Sequence, residues 1–376
     1  MKLGLIVNPI AGMGGSVGLK GTDGRKVIRQ ARTLGAVPRA PARATATLEE
    51  LVRVGAEFEL LTCAGAMGEA SALACHLTPT VVYRPASIET TAEDTRRAAR
   101  EMRKLAVDLI LFAGGDGTAR DVHEAVGGDV PALGIPAGVK IHSAVFAVSP
   151  RAAGDLLAGF LRGRIGTMRE AEVMDVDEAA YRRGQLATRL FGYLRVPYDP
   201  QLVQGAKVRS RSDDTAAEEL ARSVVARMDR ETLYVVGPGT TTRRIMTLMG
   251  LESTLLGVDV ILDGQVLALD VAERDLLRLV RDHPRARIIV TPIGGQGFLF
   301  GRGNQQISGR VVRAVGIQNV VVVATPGKLA SLGGRPFLVD TDDEELNRTL
   351  AGFIAVTTGD RQEAIYAVGH GSGNAG

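Results

Sequence analysis

The run Leu109-Ile110-Leu111-Phe112-Ala113 carries no polar residue and stops at Gly114-Gly115-Asp116-Gly117-Thr118. A strand with no polar alternation must be covered on both faces, as in a parallel sheet. Helical spacing resumes over 119–126, so strand, glycine turn and helix form one unit of an α/β fold. The same alternation fills the chain up to Ile135. Strands are expected at 3–7, 58–61, 80–83 and 132–135, with helices at 25–34, 48–54, 69–76 and 91–105. The first region therefore reads as a doubly wound parallel α/β sheet.

Ser149-Pro150 opens another helix, with Ser as cap and Pro in the first turn. The texture then changes. Paired strands are expected at 172–176 and 186–196, joined by turn residues 183–185. A polar, Arg-rich linker follows over 197–214, then a helix over 215–228. Asp263-Gly264 between two apolar runs marks a two-residue hairpin. Helix and strand return at 276–281, 288–291 and 319–324. The second region reads as a mixed α/β domain with β-hairpins. The expected division is 1–148 and 149–368, with a glycine-rich, disordered tail at 369–376.

Composition narrows the function classes. Lys and Arg number 45 against 42 Asp and Glu, a formal charge of +3 over 376 residues. Aromatics are 4% with no Trp, so the stacking platforms of nucleic-acid binders are missing and no nucleic-acid partner is expected. The two cysteines, Cys63 and Cys75, allow no disulfide framework and read as buried thiols of a reducing compartment. The first apolar run is too short for a signal-peptide core, and no run reaches the length that spans a bilayer. A cytoplasmic protein without membrane partners is the expectation; homo-oligomerisation is left open.

The Gly114–Thr118 loop carries the chemistry. Gly114, Gly115 and Gly117 permit a tight turn and let backbone N–H groups approach a phosphate. The following helix adds its positive N-terminal end. Thr118 is suited to capping that helix or donating to a phosphate oxygen. Asp116, expected exposed at the carboxyl end of the sheet, is suited to holding Mg²⁺ or accepting a hydroxyl proton in phosphoryl transfer. A capped turn without ligand is the plainer alternative. Asn8, Gly12, Gly14 and Gly15 follow the first strand without matching a dinucleotide fingerprint or Walker spacing, so loop and ligand site stay equal there. A second strand–glycine–helix unit carries Gly239, Thr240 and Thr241, where helix capping competes with phosphate binding. Gly138, Lys140, His142 and Ser143 form a further glycine loop in which Lys140 offers a mobile charge.

These segments resemble the superfamily of NAD kinases and diacylglycerol kinases. Gly114 to Thr118 is similar to its shared signature, and Asn8-Pro9 with Gly12, Gly14 and Gly15 to its first motif. Gly134-Ile135-Pro136-Ala137-Gly138-Val139-Lys140 sits where the superfamily has its next nucleotide-side loop. Together with Thr291-Pro292-Ile293-Gly294-Gly295-Gln296-Gly297 and Gly303-Asn304-Gln305-Gln306, the set resembles the ATP-NAD kinase-like branch associated with acetoin catabolism. The Asn-Glu pair of NAD kinases does not occur in this chain. Asp175-Val176-Asp177-Glu178 is its nearest equivalent, which puts Asp175 and Asp177 among the candidate nucleotide contacts. The resemblance implies a kinase that uses Mg²⁺ and ATP or polyphosphate, acting on the ribose 2′-hydroxyl of NAD(H). Another hydroxylated acceptor, or a catalytically silent nucleotide-binding regulator, stays open beside it.

Overall fold

The computed structural model describes residues 1–15, 17–19, 25–138, 141–176, 188–199, 202–203, 213–254, 256–293, 297–360 and 362–369. Lys140, Asp177, Glu178, the turn at 183–185 and most of the tail lie outside the described residues.

Five strands form the first sheet: β1 (Lys2–Val7), β2 (Glu59–Cys63), β3 (Thr80–Tyr83), β4 (Leu109–Gly114) and β5 (Ala132–Pro136). All pairs are parallel, in the order β3-β2-β1-β4-β5. The expected double cover is present, and β4 shows why. Leu109, Leu111 and Ala113 enter one core together with Leu48, Leu51, Leu156 and Leu157. Ile110 and Phe112 enter the opposite core with Ala98, Met102 and Val122. Alternate side chains of one strand thus serve two layers of helices.

Helices α1 (Arg25–Thr33), α2 (Ala40–Arg53), α3 (Glu69–Ala74), α4 (Ala92–Lys104) and α5 (Asp116–Val126) connect these strands. Two begin earlier than the sequence suggests. Helix α2 starts at Ala40 rather than at residue 48, because Pro41 is tolerated in a first turn and Ala40 and Ala44 extend the buried face. Helix α5 starts at Asp116 rather than at residue 119. The helix α6 (Pro150–Leu161), capped by Ser149 as expected, packs on α2 within the first core. A glycine at 154 permits this approach, since a Cβ there would meet the Glu50 side chain and the Thr47 carbonyl. The hairpin β6 (Met168–Val176) and β7 (Thr188–Pro197) contributes Ala171, Val173, Leu194 and Val196 to the core beneath α5.

The remaining strands form one mixed sheet. They are β8 (Leu233–Val236), β9 (Asp259–Leu262), β10 (Gln265–Ala268), β11 (Ala286–Val290), β12 (Phe298–Phe300), β13 (Val320–Val323), β14 (Phe337–Val339), β15 (Gly352–Gly359) and β16 (Gln362–Gly369). Their order is β10-β9-β8-β11-β13-β15-β16-β14-β12. Helices α7 (Asp213–Ala226), α8 (Thr240–Leu248), α9 (Glu273–Asp282), α10 (Gly309–Val315), α11 (Pro326–Ala330) and α12 (Glu344–Leu350) lie among the strands. The Asp263-Gly264 hairpin is present, and both residues take positive φ, at 51° and 70°. No helix among the described residues is long and apolar enough to cross a membrane.

Candidate active site

The strand order places a crevice between β1 and β4. From β1 the chain moves outward to β2 and β3, and from β4 it moves the other way to β5. Loops leaving the carboxyl ends of β1 and β4 therefore part, and ligands of open α/β sheets bind at such a point. Asn8 follows β1, and its N–H donates to the Ala113 carbonyl at 3.0 Å. Its side-chain Nδ2 donates to Thr118 Oγ1 at 3.0 Å, and its Oδ1 accepts the Ile10 N–H at 3.3 Å. The first motif and the phosphate loop, far apart in sequence, meet here.

Gly115 is extended, and α5 begins at once with Asp116, Gly117 and Thr118 in its first turn. First-turn N–H groups have no acceptor within their own helix. Gly117 has open space where a side chain would stand, so a ligand can come close to that backbone. Two expectations are corrected. Thr118 does not cap the helix, because it lies inside the first turn; its hydroxyl takes the Asn8 amide instead. Asp116 is not exposed: it is 5% accessible, and its carboxylate faces the loop after β5. There Oδ2 accepts the His142 N–H at 2.7 Å, and Oδ1 accepts the Ser143 N–H at 3.0 Å. His142 Nδ1 lies 3.2 Å from Oδ2. The early start of α5 turns Asp116 back toward the protein, where it organises the 142–143 loop.

Ser143 is fully buried and does not reach outward. Its hydroxyl donates to the Met174 carbonyl at 2.8 Å and accepts the Met174 N–H at 2.9 Å, tying the loop to β6. Gly138 belongs to the same wall. The Gly114 carbonyl accepts the N–H groups of Ala137 and Gly138, at 2.8 and 3.0 Å. Among the described residues, no group of three or more His, Cys, Asp or Glu side chains is placed to hold a metal ion. A dedicated cage is not what Mg²⁺ requires, since it commonly binds through one or two carboxylates together with the donor phosphates.

The loop Gly12–Gly15 is held from two sides. Gly12 has φ 79° and lies so near the Ala137 carbonyl that a side chain would collide with it. Gly14 accepts the Leu19 N–H at 2.9 Å. Gly15 meets the Gln305 amide of the second sheet's domain, where a Cβ would again collide. The buried segment 301–306 thus forms the far wall of the crevice.

Charged residues fix that wall. Arg43 Nη1 bonds Asp340 at 2.7 Å and the Pro136 carbonyl at 2.9 Å, while Nη2 bonds Asp342 at 2.8 Å. Arg39 reaches Asp342 at 2.5 Å. Burial opposes the charge of Arg43, but Asp340 and Asp342 outweigh it and hold the group above its ordinary pKa. Burial likewise opposes the charge of Asp340, yet Arg43 and Arg302 keep its pKa low. Arg302 donates from Nη2 to the Val148 carbonyl at 2.6 Å and stacks over the Phe298 ring at 4.5 Å. Sequence reasoning did not single out Arg39, Arg43, Arg302, Asp340 or Asp342. Pro41 in a helix start was the available signal for Arg43; an isolated Arg between Gly301 and Gly303 gives none.

Other candidates lie elsewhere. Asp175 on β6 pairs with Arg120 of α5 at 2.9 Å, so this member of the acidic cluster joins hairpin to helix. Gly239 precedes α8 and packs against Thr291, with Thr240 exposed and Thr241 buried. The small pocket beside them is lined by residues between Val236 and Asp259, all within the second region. The contacts of this loop lie within the second region, Gly239 against Thr291 and Gly237 against Val290 and Ile307.

A switch-point crevice above a glycine-rich helix start is the architecture of a phosphate- or nucleotide-binding α/β protein. Residues 3–165 match the ATP-NAD kinase N-terminal domain, and residues 229–368 match the ATP-NAD kinase C-terminal domain. The two matches together span well over half of the chain, and the chain belongs to the ATP-NAD kinase family. No curated protein matches it significantly. Among solved structures, a UDP-N-acetylglucosamine 2-epimerase covers 95% of this chain and 83% of its own, at 9% identity and a TM-score of 0.24. That overlap bears on neither fold nor function.

Proposed function

We propose that the protein transfers a phosphoryl group from ATP or polyphosphate to the ribose 2′-hydroxyl of NAD or NADH. The observation that carries this reading is the convergence of Asn8, Gly12–Gly15 and Gly114–Thr118 at the β1/β4 crevice, in a chain of the ATP-NAD kinase family. In this reading, first-turn N–H groups of α5 hold phosphate oxygens, with the helix dipole favouring their charge. Asn8 and Thr118 fix that turn against the end of β1. Magnesium enters with the donor phosphates, whose charge it neutralises. Asp116 holds the 142–143 loop and is the acid–base group nearest the helix start, so it receives the hydroxyl proton. We place the protein in the cytoplasm, where both nucleotides are present.

The engagement of Asp116 by His142 and Ser143 favours one second reading, a nucleotide-binding regulator without turnover. The purified protein is incubated with Mg²⁺, ATP or polyphosphate, and NAD or NADH, and products are identified by mass. NADP or NADPH is the expected product. Phosphorylation of a different hydroxyl compound instead would keep the kinase and reject the acceptor. Ligand-induced thermal stabilisation with no product would favour the regulator.

A further inference from the structure

Three buried side-chain atoms without a hydrogen-bond partner among the described residues lie in the seam between the two sheets' domains. They are Arg43 Nε, Arg302 Nη1 and Gln305 Oε1. Buried polar groups are nearly always paired, so a concentration of orphans calls for an explanation. Arg43 is already held in place, its two terminal nitrogens bonded to Asp340, Asp342 and the Pro136 carbonyl. Arg302 and Gln305 are less fully bonded among the described residues. Arg302 is 6% accessible, and its one hydrogen bond given by the structure leaves from Nη2. Gln305 is 3% accessible, and its amide rests on Gly15, in the loop that borders the crevice.

We propose that Arg302 and Gln305 are ligand contacts supplied by the second domain, Arg302 taking a phosphate oxygen through Nη1 and Gln305 taking a ligand hydroxyl. The inference rests on the crevice being a nucleotide-phosphate site, as proposed above, and names the residues that complete it. The chemistry favours an anion. A guanidinium with one unpaired terminal nitrogen, stacked on an aromatic ring, is pre-organised for a phosphate oxygen. Asp340 and Asp116 lie within electrostatic range of Arg302, while Arg43 repels it. Burial is the largest influence on Arg302 and lowers its pKa to about 9, so it is still a cation at neutral pH. The carboxylates nearby are already committed: Asp340 to Arg43, and Asp116 to the 142–143 loop. An incoming phosphate supplies the acceptor that the described residues do not. Because Nη1 is closed off from solvent, the 301–306 segment must part slightly from Gly12–Gly15 as the ligand enters. Binding and seam closure are therefore linked.

The test is direct binding of ADP, adenosine and inorganic pyrophosphate to wild type and Arg302→Met, by calorimetry. Methionine keeps the apolar bulk on Phe298 and removes the donor. The expected result is a loss of roughly ten- to hundredfold in ADP and pyrophosphate affinity, with adenosine unchanged. Arg302→Lys, which keeps charge without the fork, should fall between the two and serves if the Met variant does not fold. Gln305→Met should weaken ADP and adenosine alike and leave pyrophosphate unchanged. Equal ADP binding by wild type and Arg302→Met, or parallel loss of ADP and adenosine, would overturn the Arg302 assignment. Wild type that binds none of the three would overturn it as well. Wild type that binds ADP yet phosphorylates no dinucleotide leaves this inference standing and removes only the acceptor assignment.

Discussion

Asn8 donates from Nδ2 to Thr118 Oγ1 at 3.0 Å, joining two positions 110 residues apart in the chain. The bond spans the point where the strand order reverses and ties the end of β1 to the first turn of α5. Thr118→Val removes the acceptor and keeps the shape. We expect about 1 kcal/mol less stability and a severalfold weaker ADP affinity, read by thermal melts and calorimetry. Unchanged ADP affinity would remove this bond from the ligand site.

Asp116→Asn replaces an acceptor oxygen with an amide that cannot accept from both His142 and Ser143 N–H groups. Two effects are expected together. Turnover falls by about 10²–10⁴, the usual scale for losing a proton acceptor. Amide hydrogen exchange at His142 and Ser143 also accelerates, because the loop loses its anchor. Fast exchange with full turnover would make Asp116 a positioning residue only; slow exchange with lost turnover would make the acid–base role the dominant one.

Arg43→Met leaves Asp340 without the partner that keeps it charged in a nearly buried place. Breaking such a pair from one side costs about 3–5 kcal/mol, more than most single substitutions. Denaturant unfolding should show this loss. Adding Asp340→Asn to Arg43→Met should recover part of it, since the stranded charge is then gone. A double variant no better than the single one would contradict the ion-pair account.

Stability should rise on mild acidification because of the contact between α2 and α6. Glu50 is held low, first by its hydrogen bond from Arg53, and Asp155 is pushed up to about 6, first by burial and then by Glu50. The folded state then binds a proton that an unfolded Asp, at an ordinary value of 3.8, releases. Stability from this group is full below the unfolded value and is lost as pH rises through about 6. Asp155→Asn mimics the protonated form. It should melt higher than wild type at pH 8 and show a flatter dependence between pH 5 and 7. A parallel pH profile in the two proteins would rule the pair out as the source.

Much of this molecule was legible because the signals are local. The apolar run at 109–113 made a buried strand, Ser149-Pro150 capped a helix, and Asp263-Gly264 took the positive φ values of a tight hairpin turn. Each depends on dihedral preferences and hydrogen bonds within a few residues. The strand–glycine–helix turn at Gly114–Thr118 was legible for the same reason. The direction of the Asp116 carboxylate was not, because it depends on where α5 begins and on N–H groups of His142 and Ser143 from a different loop.

What only the tertiary structure decided is the meeting of distant segments. Pro41 marks a helix start near Arg43, but nothing local names the partner of that arginine; Asp340 lies 297 residues away. The crevice itself exists because β4, not β2 alone, pairs with β1, and strand order is invisible to periodicity. Helix α6 was assigned by sequence to the region that follows it, yet it is buried against α2, since an apolar stripe states that it must be covered and not by what. The sequence by itself determined most elements and the glycine turn at 114–118; packing between segments hundreds of residues apart decided which charges are buried and which are paired.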